Sequence, residues 1–473
     1  MFFNLLNQPS QAIAAIEGET KLTYADLGAK CVDFSAKFAK PPQLIFLKAH
    51  NNIATLVAYL SALRCQHPVM LLNPDISQQQ LDNLIRVYQP NLLIENLSII
   101  SLHARPTALA EELALLLSTS GSTGSAKQVA LSALNLQANA QSICAYLPIQ
   151  PDDRSITTLP FFYSYGLSVI NSHLLAGACI VFTFHTFVNR EFWQLFKQLE
   201  INSFAGVPHS YEILLKLRFA RMALPSLRYF TQAGGRLSPA LVEQLADYAS
   251  AQHKQFFVMY GQTEATARIA YLPGDRALHK PESIGRAIPN GHLFLQDEQG
   301  RKITEHGLSG ELVYQGPNIM LGYVSSRTDL GTFKGPKHLL TGDIAYQDED
   351  GDFFITGRLK RFIKLFGQRI SLDEVELLLA ELDLETYCCG DDNGLIVAVS
   401  ANSTTTAAEQ DLLDDDKNPL ITLLSTHLHL HHSLIQCLVL DTLPLTVNGK
   451  KDYQEVVRLV AIQADGVQGN EHD

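Results

Sequence analysis

The chain has 473 residues, 46% of them hydrophobic and 18% charged, with a formal net charge of −12. That length exceeds what one hydrophobic core organises and predicts two or more domains. The acidic balance argues against a nucleic-acid surface. Seven cysteines (31, 65, 144, 179, 388, 389 and 437) show no CxxC spacing, which reads as reduced thiols in a cytoplasmic protein. Met1-Phe-Phe-Asn-Leu-Leu-Asn lacks the basic start and long apolar stretch of a signal peptide. No apolar run has the length to span a bilayer.

From about residue 40, short apolar runs alternate with longer amphipathic ones. Leu44–Leu47 is strand-like, Ile53–Leu63 carries helical spacing, and Val69–Leu72 is strand-like again before an Asn73-Pro74 turn. Further strands are expected at Ile156–Leu159, Cys179–Phe184, Ser203–Ala205, Leu227–Phe230 and Phe256–Met259. Helices are expected between them at Glu191–Leu199, Tyr211–Arg218 and Pro239–Ala249. This alternation predicts an α/β fold of doubly wound, mainly parallel sheets covered by helices. Ligands of such sheets sit at the carboxyl ends of the strands.

After residue 290 glycines become frequent and short β-like runs carry turns, which predicts a small antiparallel or barrel-like subdomain. A compact α+β pattern follows: Arg361–Leu365, a helix over Leu372–Leu382, a strand at Leu395–Val399, a helix near Leu420–Leu428 and a strand at Ile435–Leu440. Asn418-Pro419 suits the start of that second helix, and the polar stretch Ala401–Asn418 reads as a surface loop. The domain boundary is placed near Arg358–Lys360, giving domains 1–358 and 359–473.

Behind the apolar run Leu113–Leu117 stands Ser118-Thr-Ser-Gly-Ser-Thr-Gly-Ser-Ala-Lys127, with six hydroxyl side chains and two glycines. Glycines let backbone approach a bulky anion, and hydroxyls with free N–H groups donate to its oxygens. The stretch reads as a phosphate-gripping loop leaving a buried strand. It is not a Walker A loop, which needs Gly-Lys followed by Ser or Thr. A flexible Ser/Gly linker is the rival reading. Four further islands stand beyond it: Tyr260-Gly-Gln-Thr-Glu264; Thr341-Gly-Asp343; Gly357-Arg-Leu-Lys360 with Lys364 and Gly367-Gln-Arg369; and Pro444-Leu-Thr-Val-Asn-Gly-Lys450. Each alone is a common turn or strand end.

In this order and at these separations the islands resemble the adenylate-forming superfamily of acyl-CoA synthetases, nonribosomal-peptide adenylation domains and beetle luciferases. The resemblance runs from Leu22-Thr-Tyr-Ala-Asp-Leu27 to Lys450. It implies a large N-terminal AMP-binding domain and a small, mobile C-terminal domain. It also implies that a carboxylate is joined to the α-phosphorus of ATP, that pyrophosphate leaves, and that the acyl group passes to a thiol.

On that resemblance, Thr119, Ser120, Gly121, Ser122, Thr123, Gly124 and Lys127 would hold the β- and γ-phosphates. Thr263 would contact the α-phosphate and Glu264 would ligate Mg²⁺, a hard cation suited to carboxylate oxygen. Tyr260, followed by Gly261, would stack on adenine beside the backbone of Ala233, Gly234 and Gly235. Asp343 would accept both ribose hydroxyls, and Arg358 would reach the ribose and phosphates. Lys450 would bridge carboxylate and α-phosphate while negative charge builds there. Lys360 matches the hinge position, and rotation about it would exchange Lys450 for the loop carrying Lys364, Gly367 and Arg369. An exposed linker charge is the rival reading of Lys360.

The sequence departs from the family pattern in two places. Ala126 stands where proline usually precedes the lysine, and Tyr163 of Pro160-Phe-Phe-Tyr-Ser-Tyr-Gly166 stands where acyl-CoA synthetases often carry histidine. Phe161–Tyr165 offers no carboxylate for an α-amino group, which speaks against an amino-acid substrate. The acyl pocket would draw on Tyr163, Gly206 and Arg268. Arg268 could meet a second polar group of the substrate, although a surface or salt-bridged position is the favoured reading. Phe161 is expected to pack between sheets. The histidine-rich Thr426–His432 invites a metal reading but lacks a nearby carboxylate, and Cys388-Cys389 reads as packing.

The expected enzyme is an AMP-forming acid–thiol ligase for a fatty or aromatic acid, using ATP and Mg²⁺. Its acceptor would be CoA or the phosphopantetheine of an acyl or peptidyl carrier protein. The alternatives are an amino-acid-activating enzyme that loads a carrier, a non-catalytic nucleotide-binding relative, and a phosphotransferase releasing ADP.

Overall fold

A computed structural model describes residues 1–5, 8–38, 42–102, 109–118, 127–365, 368–380, 382, 384–391, 393–401, 419–428, 430–447 and 449–468. These group into two compact units. One comprises Met1–Phe294, Val313–Thr341 and Asp350–Phe353; the other comprises Leu295–Leu312, Gly342–Glu349 and Phe354–Asp473. Thr119–Gly124 and Gly367 lie outside the described residues, as do the side chains of Lys360, Lys364 and Arg369.

The first unit contains two sheets. In one, the strands Ile13–Glu17, Cys179–Phe182, Arg154–Ile156, Ser203–Gly206, Tyr229–Gln232 and Gln255–Tyr260 lie side by side and parallel. Ala270–Pro273 then returns antiparallel to Gln255–Tyr260. In the other, Leu92–Glu95, Ile45–Lys48, Val69–Leu72 and Leu113–Ser118 run parallel, and Gln128–Ser132 and Gly322–Val324 extend the sheet antiparallel. Parallel strands are buried on both faces, which is why they read as unbroken apolar runs. The core of the first sheet is strongly aromatic, with Phe192, Phe196, Phe204, Tyr211, Phe230 and Phe256 all buried.

The second unit carries short antiparallel pairs such as Leu295–Gln296 with Lys302–Ile303, then the hairpin Phe362–Leu365/Gln368–Ser371. A three-stranded sheet follows. In it Gly394–Ser400 is antiparallel to Thr386–Asp391 and parallel to Ile435–Leu440. One apolar cluster joins this sheet to the helices Leu372–Ala380 and Pro419–Leu428 through Leu379, Val397, Leu420 and Leu424. A separate cluster seats the helix Tyr453–Gln468 through Tyr387, Leu438 and Val456.

Most expected elements appear within two or three residues. The strand expected at Ile156–Leu159 is Arg154–Ile156, because Thr157–Leu159 already leads into the Pro160 turn. The strand expected at Leu227–Phe230 is shifted to Tyr229–Gln232. Leu227 N instead donates to the Leu224 carbonyl in a turn, and Arg228 links the Asn202 carbonyl to the Gln255 amide at the foot of the ladder.

Candidate active site

The first unit brings Gly206, Gln232 and Val258 into register on adjacent parallel strands. Gly206, Gly234–Gly235 and the Tyr260–Arg268 segment therefore lie at the carboxyl ends of three neighbouring strands, where α/β sheets bind ligands. At Gly206 a Cβ would sit 2.7 Å from the Tyr211 ring, so only glycine lets that ring pack under the strand end.

The Gly261–Ile269 loop is tightly determined. A Cβ on Gly261 would lie 1.7 Å from the Ala267 carbonyl oxygen. Thr266 and Ala267 take φ of 59° and 113°, a conformation that costs a non-glycine residue roughly 1–3 kcal/mol and persists only when its surroundings enforce it. Asn318 supplies much of that enforcement. Its Nδ2 donates to the carbonyls of Ala265 (2.7 Å) and Arg268 (2.8 Å), and its own carbonyl accepts from Thr266 Oγ1 at 2.6 Å. Tyr314 holds the Asn318 amide in turn, with its hydroxyl 2.7 Å from Oδ1.

Three groups project from this loop in different directions. The hydroxyl of Thr263 lies 3.2 Å from Ser164 Oγ, in the first turn of the helix Ser164–Ala176. Glu264 accepts from the Tyr323 hydroxyl at 2.7 Å, and Lys127 Nζ sits 3.6 Å from the centroid of that same ring. The pairing of Gly322–Val324 with Gln128–Ser132 sets this arrangement. The lysine that closes the phosphate-loop motif thus shares one tyrosine with the expected Mg²⁺ ligand. Burial, and then the Glu264 carboxylate, pushes the Tyr323 phenol up, so it remains a protonated donor at neutral pH. Gln262 Nε2 donates to the Thr341 carbonyl at 2.8 Å and reaches the Tyr260 hydroxyl at 3.4 Å.

The third group is Arg268, which is neither at the surface nor salt-bridged, contrary to the favoured sequence reading. It is 2% exposed, and no carboxylate among the described residues forms an ion pair with it. Its guanidinium carbon lies 4.2 Å from the centre of the Tyr165 ring, and its Nε has no hydrogen-bond partner. A desolvated cation–π contact contributes about 2 kcal/mol, whereas burying an ion costs several kcal/mol even after relaxation. The aromatic contact alone does not offset that cost.

Tyr163 and Tyr165 are both buried in the cluster that includes Leu159, Ala205, Val207 and Phe257. Tyr165 donates towards Thr231, whose hydroxyl lies 2.8 Å away. Phe161 is fully buried and packs edge-on against Tyr59, as expected.

In the second unit, Arg358 Nε lies 2.8 Å from Asp343 Oδ1. Asp343 is buried while the Arg358 side chain is 60% exposed, so the pair is a weak tether from which the arginine can move. Lys450 sits on a tight turn: Thr446 N donates to the Lys450 carbonyl at 2.8 Å, and Lys450 N donates to Thr446 Oγ1 at 3.1 Å. Leu445 and Lys451 bridge across its base.

Glu376 is a residue that sequence reasoning missed. Its carboxylate takes Arg361 Nη2 and Lys451 Nζ, each at 2.6 Å, the Tyr453 hydroxyl at 3.3 Å, and the Cys388 N–H at 2.9 Å. The neighbours of Lys360 and of Lys450 therefore share one carboxylate. Cys388 and Cys389 are buried in a strand, and burial pushes the Cys389 thiol up to about 11. Both act as packing. His431 Nδ1 pairs with Ser433 Oγ at 2.7 Å, and no cluster of metal-ligating side chains occurs among the described residues. No helix among them is long and apolar enough to cross a membrane.

The family model described as AMP-binding enzyme matches residues 2–324. A probable CoA ligase of Humulus lupulus is 27% identical over 421 residues, 78% of each chain. The D-alanine–D-alanyl carrier protein ligase of Bacillus licheniformis is 26% identical over 406 residues, 77% of this chain and 79% of that one. The o-succinylbenzoate CoA synthetase of Bacillus subtilis, solved with its acyl-adenylate intermediate, superposes with a TM-score of 0.76 at 20% identity, covering 96% of this chain and 97% of that one. That likeness establishes the two-domain adenylate-forming fold. The chain belongs to the AMP-binding enzyme family and is an acyl-adenylate-forming ligase.

Proposed function

We propose that the enzyme adenylates a fatty or aromatic carboxylic acid with ATP and Mg²⁺, releasing pyrophosphate. It then passes the acyl group to the phosphopantetheine thiol of CoA or of a carrier protein, releasing AMP. The observation that carries this reading is the convergence of Lys127, Tyr323 and Glu264 beside the Thr263–Ser164 contact. It is a cation, a hard oxygen ligand and hydroxyl donors, the set needed to bring two anionic reactants together. The Glu264 carboxylate, with the Tyr323 hydroxyl beside it, suits Mg²⁺, which favours a carboxylate or two plus substrate phosphates.

In this reading Lys127 and the Thr119–Gly124 loop hold the phosphates that leave, and Thr263 orients the one that stays. Asp343 and Arg358 hold the ribose, and Tyr260 lies on adenine against the Gly234–Gly235 backbone. Lys450 stabilises charge building between carboxylate and α-phosphate. The small domain from residue 359 then turns about Lys360, withdrawing Lys450 and presenting the loop of Lys364, Gly367 and Arg369 for the thiol step. The Arg361–Glu376–Lys451 cluster supports this picture, because it ties the segment beside the hinge to the base of the Lys450 turn. All seven cysteines are free, which supports a reducing, cytoplasmic setting.

ATP–pyrophosphate exchange across a panel of fatty, aromatic and amino acids tests the first half-reaction. Repeating it with CoA and then with a carrier protein assigns the acceptor. Exchange with at least one acid is expected. ATP binding without exchange on any acid would favour a non-catalytic relative, and exchange confined to amino acids would favour a carrier-loading enzyme.

A further inference from the structure

We propose that Arg268 binds a second anionic group on the acid, so that the substrate class is acids with two acidic groups, a dicarboxylate in the simplest case. This rests on the adenylation reading above and narrows it.

Among the described residues, this cation is buried without a counter-charge. Arg268 is buried, its Nε is unpartnered, and it forms no ion pair with a carboxylate of the described residues. Its neighbours are phenols. Tyr165 lies under its face, and Tyr146 and Tyr163 lie within its electrostatic reach. Burial pushes all three phenols up, against a smaller downward pull from the Arg268 charge. They stay neutral at physiological pH and cannot balance it. A guanidinium presents a planar fork of donors matched to a carboxylate.

Its position also fits. Thr263 contacts Ser164 and Arg268 contacts Tyr165, consecutive residues of one helix. An acid whose reacting carboxyl lies by Thr263 would direct its far end towards Arg268. The Asn318 clamp on the Arg268 carbonyl fixes the backbone from which this side chain projects. Such a site selects by difference, because an acid without the second anion leaves the buried cation unpaired.

The test is ATP–pyrophosphate exchange with matched pairs: hexanoate against adipate, and phenylacetate against 2-carboxyphenylacetate. Each pair is run with the wild type, Arg268→Met and Arg268→Lys. The wild type is expected to favour the diacid of a pair by at least about tenfold in kcat/KM. Arg268→Met is expected to lose about a hundredfold or more on the diacid, as truncation of a buried charge pair does, and far less on the monoacid. Arg268→Lys should recover part of the diacid rate. A wild-type preference for monoacids, or an equal fall on both members in Arg268→Met, would overturn the assignment.

If the wild type exchanges with no acid at all, the adenylation reading fails, and a thermal-shift titration then decides Arg268 separately. Stabilisation by diacids that is lost in Arg268→Met supports the anion site. Equal shifts with monoacids, or no shift with any diacid, refute it.

Discussion

Asp352 and Arg268 are both buried charges of the first unit, and they are treated in opposite ways. Asp352 is fully buried and answered three times over, by Arg276, by Lys280 at 2.9 Å and by Arg286 at 3.1 Å. Arg268 is as deeply buried and answered only by neutral tyrosines, the face of Tyr165 and a side-chain hydrogen bond with Tyr146. A fold that needs a buried ion for its own stability surrounds it with partners. A site that needs one for a ligand leaves the partner to the ligand.

The sharpest way to break this contrast is to remove each charge in turn. Asp352→Ala should destabilise the protein by about 3–5 kcal/mol, because it leaves Arg276 and Arg286 without their shared carboxylate and Lys280 with Asp350 alone. Arg268→Met should leave the melting temperature unchanged or raise it, since a buried unpaired charge is replaced by an apolar side chain of similar size. Equal losses in the two variants, read by thermal unfolding without ligand, would erase the distinction.

Lys450→Ala extends the contrast to the second unit, where the cation sits on a turn and is proposed to act on the developing transition state. Adenylation should fall by about 100- to 1000-fold, the scale of losing one electrostatic stabiliser. Thioester formation from supplied acyl-adenylate should stay largely intact. A comparable fall in both half-reactions would contradict the two-conformation scheme. Lys360→Pro should do the reverse, sparing adenylation and slowing thiol transfer on the order of tenfold, because the hinge backbone is fixed. Matching rates for the two steps would remove Lys360 from the hinge. The smallest effect is expected at Tyr323→Phe. Loss of one hydrogen bond to the Glu264 carboxylate should weaken Mg²⁺ dependence by about tenfold, or about 1.5 kcal/mol. An unchanged Mg²⁺ titration would leave Tyr323 with a packing role alone.

What was legible in the sequence was local. Parallel strands announce themselves as apolar runs, and Tyr260–Glu264 and the turn bearing Lys450 lie where short-range chemistry dictates, whereas Thr341–Asp343, which reads as a turn, lies within the strand Leu339–Gln347. What escaped depends on distant segments meeting. Tyr323 reaches Glu264 only because its strand pairs with Gln128–Ser132, a long-range pairing that no spacing rule reveals. Glu376 gathers Arg361 with Lys451 and Tyr453 across some seventy-five residues of chain. Arg268 was misjudged because most arginines are exposed or paired. The clue to its burial is Ala267-Arg268-Ile269-Ala270, an arginine set in an apolar run entering a central strand.

The most direct test of the account is the fate of the nucleotide. With ATP, Mg²⁺, an accepted acid and a phosphopantetheine thiol, phosphorus NMR should find AMP and pyrophosphate forming in equal amounts, and only when the acid is present. ADP and orthophosphate as the acid-dependent products would contradict it.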